Sequence, residues 1–301
     1  MYLATAAFLP SLVQQVVSGV ASGATYASVA LALVLIFRAM DIINFAQGEM
    51  AMFTTFIAYS LIAALHLPYA IVFAVTVAVG FVGGFAVQRV VIRPFERGSH
   101  LTVLIVSLGL FFAVNGLAGL IWGYVTKSVP SPFPARAINF EGLYLGINDL
   151  GVIGITLAML LVLFLFFRHT KLGLAMRASS LYPESCRLLG VRTSRMLALG
   201  WGLSAAVGAV SGMLVAPITF LDPNFMQPVL LFAFAGAVVG GIESPAGAVV
   251  GSVLVGVLLA LVGTYISGGQ NLRVAIALIV IVGVLVVKPA GLFGRAAVQR
   301  V

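Results

Sequence analysis

One cysteine, Cys186, two tryptophans and three histidines are all this 301-residue chain has of those types, and charged residues make up only 8% of it. One cysteine cannot form an internal disulfide, and no CxxC pair exists to hold a metal. No HExxH motif is present, and His66, His100 and His169 stand far apart at the ends of apolar runs. A GxxxxGK[ST] loop is missing, so the chain has no P-loop for ATP. A GxSxG elbow is missing too. Ionisable residues are absent from the centres of the apolar runs, where a pump or secondary transporter places its titratable groups.

What fills the sequence is hydrocarbon. Hydrophobic residues account for 62%, and the mean hydropathy is +1.19. Apolar runs fall at 12–36, 43–65, 68–90, 101–122, 150–167, 196–216, 229–241, 245–266 and 271–287. Each long run can cross a hydrocarbon core about 30 Å thick. In lipid the backbone must satisfy its own hydrogen bonds, so these runs predict helices. The alternating pattern of a membrane barrel is absent. The expected fold is an all-α polytopic membrane protein of eight or nine spans. The run 229–241 is short, bounded by Pro228 and Gly240-Gly241, and is expected as a half-helix or re-entrant segment. The first run has no positive charge before it and outlasts a signal h-region, so it is expected as the first span.

A net charge of +8 invites a nucleic-acid reading. The placement of the charge rejects it. Thirteen of the 16 basic residues, from Arg38 through Arg89, Arg93, Arg97 and the 168–195 loop to Lys288, Arg295 and Arg300, fall on one side of the span pattern. Only Lys127, Arg136 and Arg273 fall on the other. The positive-inside rule makes the first side cytoplasmic, with the C-terminus inside and the N-terminus outside. One transmembrane domain over 1–301 follows, with an external loop at 123–149 and a cytoplasmic loop at 168–195. Pro130, Pro132 and Pro134 exclude a regular helix from the external loop.

Gly19 and Gly23, Gly80 and Gly84, and Ser204, Gly208, Gly212 and Ala216 recur at four-residue spacing. Such faces let helix backbones approach closely in lipid. Against this background the stretch DIINFAQGEM at 41–50 stands out, because it places Asp41, Asn44, Gln47 and Glu49 between two apolar runs.

The segment 23–53, with INFAQGE (Ile43–Glu49) at its core, resembles the first motif of the permease subunits of branched-chain amino acid ABC importers. Residues 170–217 resemble that family's cytoplasmic coupling loop and following helix. FAGAVVGGIESPAGAVVGSVLVGV (234–257) and the terminal KPAGLFGR (288–295) complete the ordered set. Departures exist: the family often has His where Gln47 stands and Ala at Cys186. The resemblance implies cytoplasmic ATPase subunits that bind the ATP, with no cofactor in this chain. It also implies a second homologous permease or a copy of itself, an external solute-binding protein, and a multi-pass place in the bacterial inner membrane.

Two site expectations follow. Residues 181–190 suit a short helix that docks on an ATPase. Pro183 starts it, Glu184 favours its dipole, Leu188 and Leu189 give an apolar face, Gly190 ends it, and Arg187 and Arg192 supply rim charge. The alternative is a basic loop lying on anionic lipid. At the polar break, Asn44, Gln47 and Gly48 are expected to share a helical face and to line the path of a small amino acid. The alternative is an interfacial turn facing water. Ser107 and Asn115 are weaker path candidates, since such residues also serve as interhelix hydrogen-bond glue. Three other functions stay in view: a self-sufficient channel or ABC permease for urea or short amides, a secondary transporter, and a membrane enzyme.

Overall fold

The computed structural model describes residues 2–40, 42–96, 98–134, 136–140 and 143–294. Asp41, Arg97, Arg295 and Arg300, which entered the sequence argument, lie outside them. In chain order the helices are α1 (Tyr2–Met40), α2 (Gln47–Leu65), α3 (Tyr69–Val87), α4 (His100–Trp122), α5 (Ile147–His169), α6 (Lys171–Leu181), α7 (Pro183–Leu188), α8 (Thr193–Thr219), α9 (Met226–Gly240), α10 (Pro245–Tyr265) and α11 (Gly269–Val287). Among the described residues, eight helices are long and apolar enough to cross a membrane. The chain is an all-α, multi-pass membrane protein.

Helix α9 is 15 residues long. At 1.5 Å per residue it reaches about 22 Å, short of a full hydrocarbon crossing. The span expected at 68–90 continues instead through a π-turn at Gln88–Ile92 and a 3₁₀ turn at Arg93–Phe95. The 123–149 loop contains a feature its prolines did not announce, an antiparallel hairpin of β1 (Ala137–Phe140) and β2 (Leu143–Gly146).

Close contacts divide the chain into two compact units. The first comprises Met1–Ala30, Ser131–Ala158 and Leu230–Val301. Lipid tails are as apolar as leucine, so helices associate there by close packing and hydrogen bonding. Glycines supply the packing. A Cβ at Gly23 of α1 would sit 2.6 Å from the Val253 Cα of α10, and one at Gly256 would strike the Gly23 backbone. Thr156 of α5 donates to the Ala24 carbonyl at 3.1 Å. Phe232, Ala235, Val255, Leu259, Ala277 and Ile281 form the core, with Tyr26 tilted on Phe232 at 5.2 Å. The hairpin is tied to α1 through Gln14, whose amide both donates to and accepts from the Tyr144 backbone at 2.9 Å.

The second unit comprises Leu31–Pro130 and Met159–Val229. Helix α8 is its axis and is buried along most of its length. Helix α3 packs closely along it. Gly84 makes this possible, because a Cβ there would stand 2.5 Å from both Ala205 Cβ and the Trp201 carbonyl oxygen. Ile36, Met50, Ile92, Val103, Trp201 and Ala205 close one core cluster; Ala58, Val72 and Met213 close another.

Candidate functional site

The polar break between α1 and α2 is not a continuous helix. Asn44 Oδ1 accepts from the Ala46 N–H at 3.0 Å, an Asx turn, and α2 begins only at Gln47. The expectation that Asn44 shares a helical face with Gln47 and Gly48 is therefore corrected. An Asn side chain that bonds its own backbone two residues on competes with helix, and here it wins. Asn44 is nonetheless buried, and its Nδ2 points to Met50 Sδ at 3.9 Å.

Gln47 and Gly48 are buried within the second unit. The Gln47 Nε2 donates to the Ser204 carbonyl at 3.1 Å, and its Oε1 accepts from the Ser204 hydroxyl at 3.0 Å. Gly208 leaves room for this amide, since a Cβ there would lie 2.5 Å from Nε2. Gln47 thus braces α2 against α8. Ser107 is also buried and donates to Leu104 of its own helix at 2.7 Å. That bond is local and joins no two helices.

Asn115 belongs to a different constellation, centred on Glu49. Glu49 is 1% exposed. Its Oε2 accepts from Asn115 Nδ2 at 3.1 Å, and its Oε1 accepts from Gln227 Nε2 at 3.4 Å. The Asn115 amide also faces the Pro223 carbonyl at 2.8 Å and Asn224 Oδ1 at 3.2 Å, so its two hydrogens are shared among three acceptors, and Asn224 Oδ1 accepts from Gln227 at 3.0 Å. The turn that carries Pro223 is fixed locally. Asp222 accepts from the Asn224 N–H at 2.7 Å, and Leu221 exchanges backbone bonds with Lys127 at 2.8 and 2.9 Å. Burying a carboxylate is costly, and neutral amides offset that cost less fully than a cation would. Asn224 is exposed and Gln227 half-buried, so the cluster runs from a buried acid to an accessible amide rim. Sequence reasoning noted Glu49 without assigning it a site and missed Asn224 and Gln227. Their signal was the second polar break, FLDPNFMQP at 220–228.

The 168–195 loop folds as α6 and α7, both packed on α8. Thr170 caps α6 by accepting from Gly173 N–H at 2.9 Å. Pro183 stands at the start of α7 and Glu184 in its first turn. The helix ends in a Schellman arrangement: Val191 N–H reaches the Cys186 carbonyl at 2.9 Å, Gly190 N–H reaches Arg187 at 3.0 Å, and Gly190 adopts φ +81°. This conformation favours glycine. Cys186 faces inward, while Leu188 and Leu189 are 90% and 82% exposed. Leu181 and Tyr182 are exposed beside them in sequence, as is Arg192. Arg187 is less free than a rim charge: its Nε donates to Thr193 at 3.2 Å and its Nη1 meets Glu184 at 3.4 Å. That exposed pair is worth little in stability.

Comparison with known proteins agrees with this architecture. Residues 15–285 match the family model described as branched-chain amino acid transport system, permease component. The chain is 31% identical to the high-affinity branched-chain amino acid transport system permease protein LivH of Salmonella typhimurium, over 96% of this chain and 97% of that one. It is 30% identical to BraD of Pseudomonas aeruginosa, with the same coverage. A probable LivH of Methanocaldococcus jannaschii is 25% identical over 88% of this chain and 87% of that one. These names carry branched-chain amino acids and not urea. The chain belongs to the family of permease components of branched-chain amino acid transport systems.

Proposed function

We propose that this chain is the membrane-spanning permease subunit of an ABC importer and forms part of the translocation path for branched-chain amino acids. The observation that carries the reading is the family match across residues 15–285. ATP is bound and hydrolysed by cytoplasmic partner subunits, an external solute-binding protein delivers the substrate, and a second permease or a copy of this chain completes the path. The protein lies in the bacterial inner membrane, with the 168–195 loop and the C-terminus cytoplasmic by the positive-inside rule.

The step formed by Leu188 and Leu189 is the ATPase contact. Two leucines this exposed on a loop are unfavourable in water and suit a groove. Pro183, the Schellman end at Gly190 and the Arg187–Thr193 bond hold the short helix in shape before docking. The 123–149 loop, stiffened by its hairpin, is the surface for the solute-binding protein. On the path, the Glu49–Asn115–Gln227 cluster is the better candidate, because Gln47 is engaged with Ser204 and Ser107 with its own helix. A buried acid in a membrane span marks function more often than packing.

The test is co-purification in gentle detergent followed by leucine uptake into proteoliposomes. An ABC-type ATPase at comparable amount, with uptake dependent on ATP, is expected. A pure homo-oligomer that passes solute without ATP would replace this reading with that of a channel. Deleting residues 130–135 should weaken stimulation of the ATPase by the solute-binding protein.

A further inference from the structure

The first unit contains a polar cleft of about 230 Å³ between α1, α10 and α11. Ser18, Ser22 and Tyr26 reach it from one face of α1, four residues apart. Arg273 reaches it from α11, about one turn after Gln270 and Asn271 open that helix and where its apolar run begins. Its Nε is buried and has no hydrogen-bond partner. Among the described residues, no acidic side chain lines the cleft. An arginine within a span is costly unless something compensates it, and such a residue ordinarily faces a partner or a pathway.

The amides around it are already divided into donors and acceptors. Gln15 Oε1 accepts from the Thr264 hydroxyl at 2.9 Å, which leaves Nε2 as a donor. Gln270 Nε2 donates to the Gly263 carbonyl at 3.3 Å, which leaves Oε1 as an acceptor. Buried Leu259 and Ala260 give the cleft an apolar wall, while Ser18, Thr264 and Gln270 are exposed at its mouth. One cation with neutral donors suits one carboxylate; a phosphate dianion calls for more positive charge. The free acceptor and the apolar wall suit an ammonium and a short aliphatic chain. The volume is below that of drug-sized pockets, which begin at about 300 Å³.

We infer that this cleft binds the carboxylate of a small aliphatic solute on Arg273. The choice of L-leucine as probe rests on the proposed function; the carboxylate assignment does not. Full-length protein in phosphatidylcholine nanodiscs would be tested by equilibrium binding with L-leucine, with isovalerate, which lacks the amine, and with isoamylamine, which lacks the carboxylate. Wild type should bind the first two and not the third. Arg273→Gln should weaken both by about 10- to 100-fold, the range of a charge-assisted hydrogen bond, and Arg273→Lys should restore part of the loss. Ser18→Trp blocks the exposed mouth without disturbing a buried charge and should also abolish binding, which keeps the test decisive if Arg273→Gln does not fold. Isovalerate bound without leucine would uphold the cleft and count against the amino acid reading. Wild type that binds no probe, while the assembled system still imports leucine, would overturn the cleft and leave the proposed function standing. Equal binding by Arg273→Gln or of isoamylamine would overturn it as well. So would phosphatidylglycerol retained by wild type and lost in Arg273→Gln without carboxylate binding, since the site would then belong to lipid.

Discussion

Gln47 and Ser204, 157 positions apart, exchange a reciprocal pair of hydrogen bonds that leaves Gln47 fully buried. The single Ser204 hydroxyl proton is shared between Gln47 and the Ala32 carbonyl 2.6 Å away, so Gln47→Leu removes both Gln47 contacts and leaves that proton wholly to Ala32. The loss should be about 1–2 kcal/mol, between the ~0.6 kcal/mol average of interhelical bonds in membranes and the larger cost of an orphaned polar group. Adding Ser204→Ala should cost less than the two single changes summed. Unfolding in detergent followed by tryptophan fluorescence measures this, and strictly additive effects would show that the two residues are not coupled.

Glu49→Gln tests the buried acid. Glutamine has one acceptor oxygen where glutamate has two, so either Asn115 or Gln227 would face another donor. ATP-dependent leucine uptake should fall by about tenfold or more, the worth of one charge-assisted hydrogen bond, while membrane insertion persists. Uptake equal to wild type would reduce the carboxylate to a structural detail.

Neighbouring glycines on α3 should behave oppositely. A Cβ at Gly83 meets nothing within 4 Å, whereas one at Gly84 meets Ala205 and Trp201 at 2.5 Å. Gly83→Ala should be neutral or raise stability by up to about 1 kcal/mol through helix propensity. Gly84→Ala should lower it by about 1–3 kcal/mol through overpacking. Thermal unfolding of the pair, side by side, decides whether α3 and α8 touch as described.

In the 168–195 loop, Leu189→Asp and Gly190→Glu should uncouple ATP hydrolysis from transport without loss of membrane insertion. Leu189 is 82% exposed, so the aspartate opens no cavity. The glutamate must adopt φ +81°, a strain of about 1–2 kcal/mol confined to the end of α7. Normal uptake in both variants would place the ATPase contact elsewhere.

These residues also explain what could be foreseen. The spans and the short helix at 183–188 were legible because length, hydropathy, a leading proline and a closing glycine act within a few residues of one another. The start of α2 was not, because a single Asn44–Ala46 hydrogen bond sets it and hydropathy does not register that bond. The bond of Gln47 to Ser204 was not legible either, because its partner lies in a helix that sequence cannot bring near. Asn224 and Gln227 were missed for the same reason, since their role exists only once the Pro223 turn meets Asn115. Arg273 was counted as an external charge, and only folding placed it beside Ser22 and Tyr26.

The contact of Gly23 with Gly256 has a consequence for inheritance. Every amino-acid replacement for glycine brings a Cβ, and at these two positions that atom would collide with the opposing backbone. Neither codon therefore has a mild missense neighbour. Where α1 crosses α10 the gene is held to a single letter at each position, and mutational scanning should find these codons intolerant though neither carries any chemistry of transport.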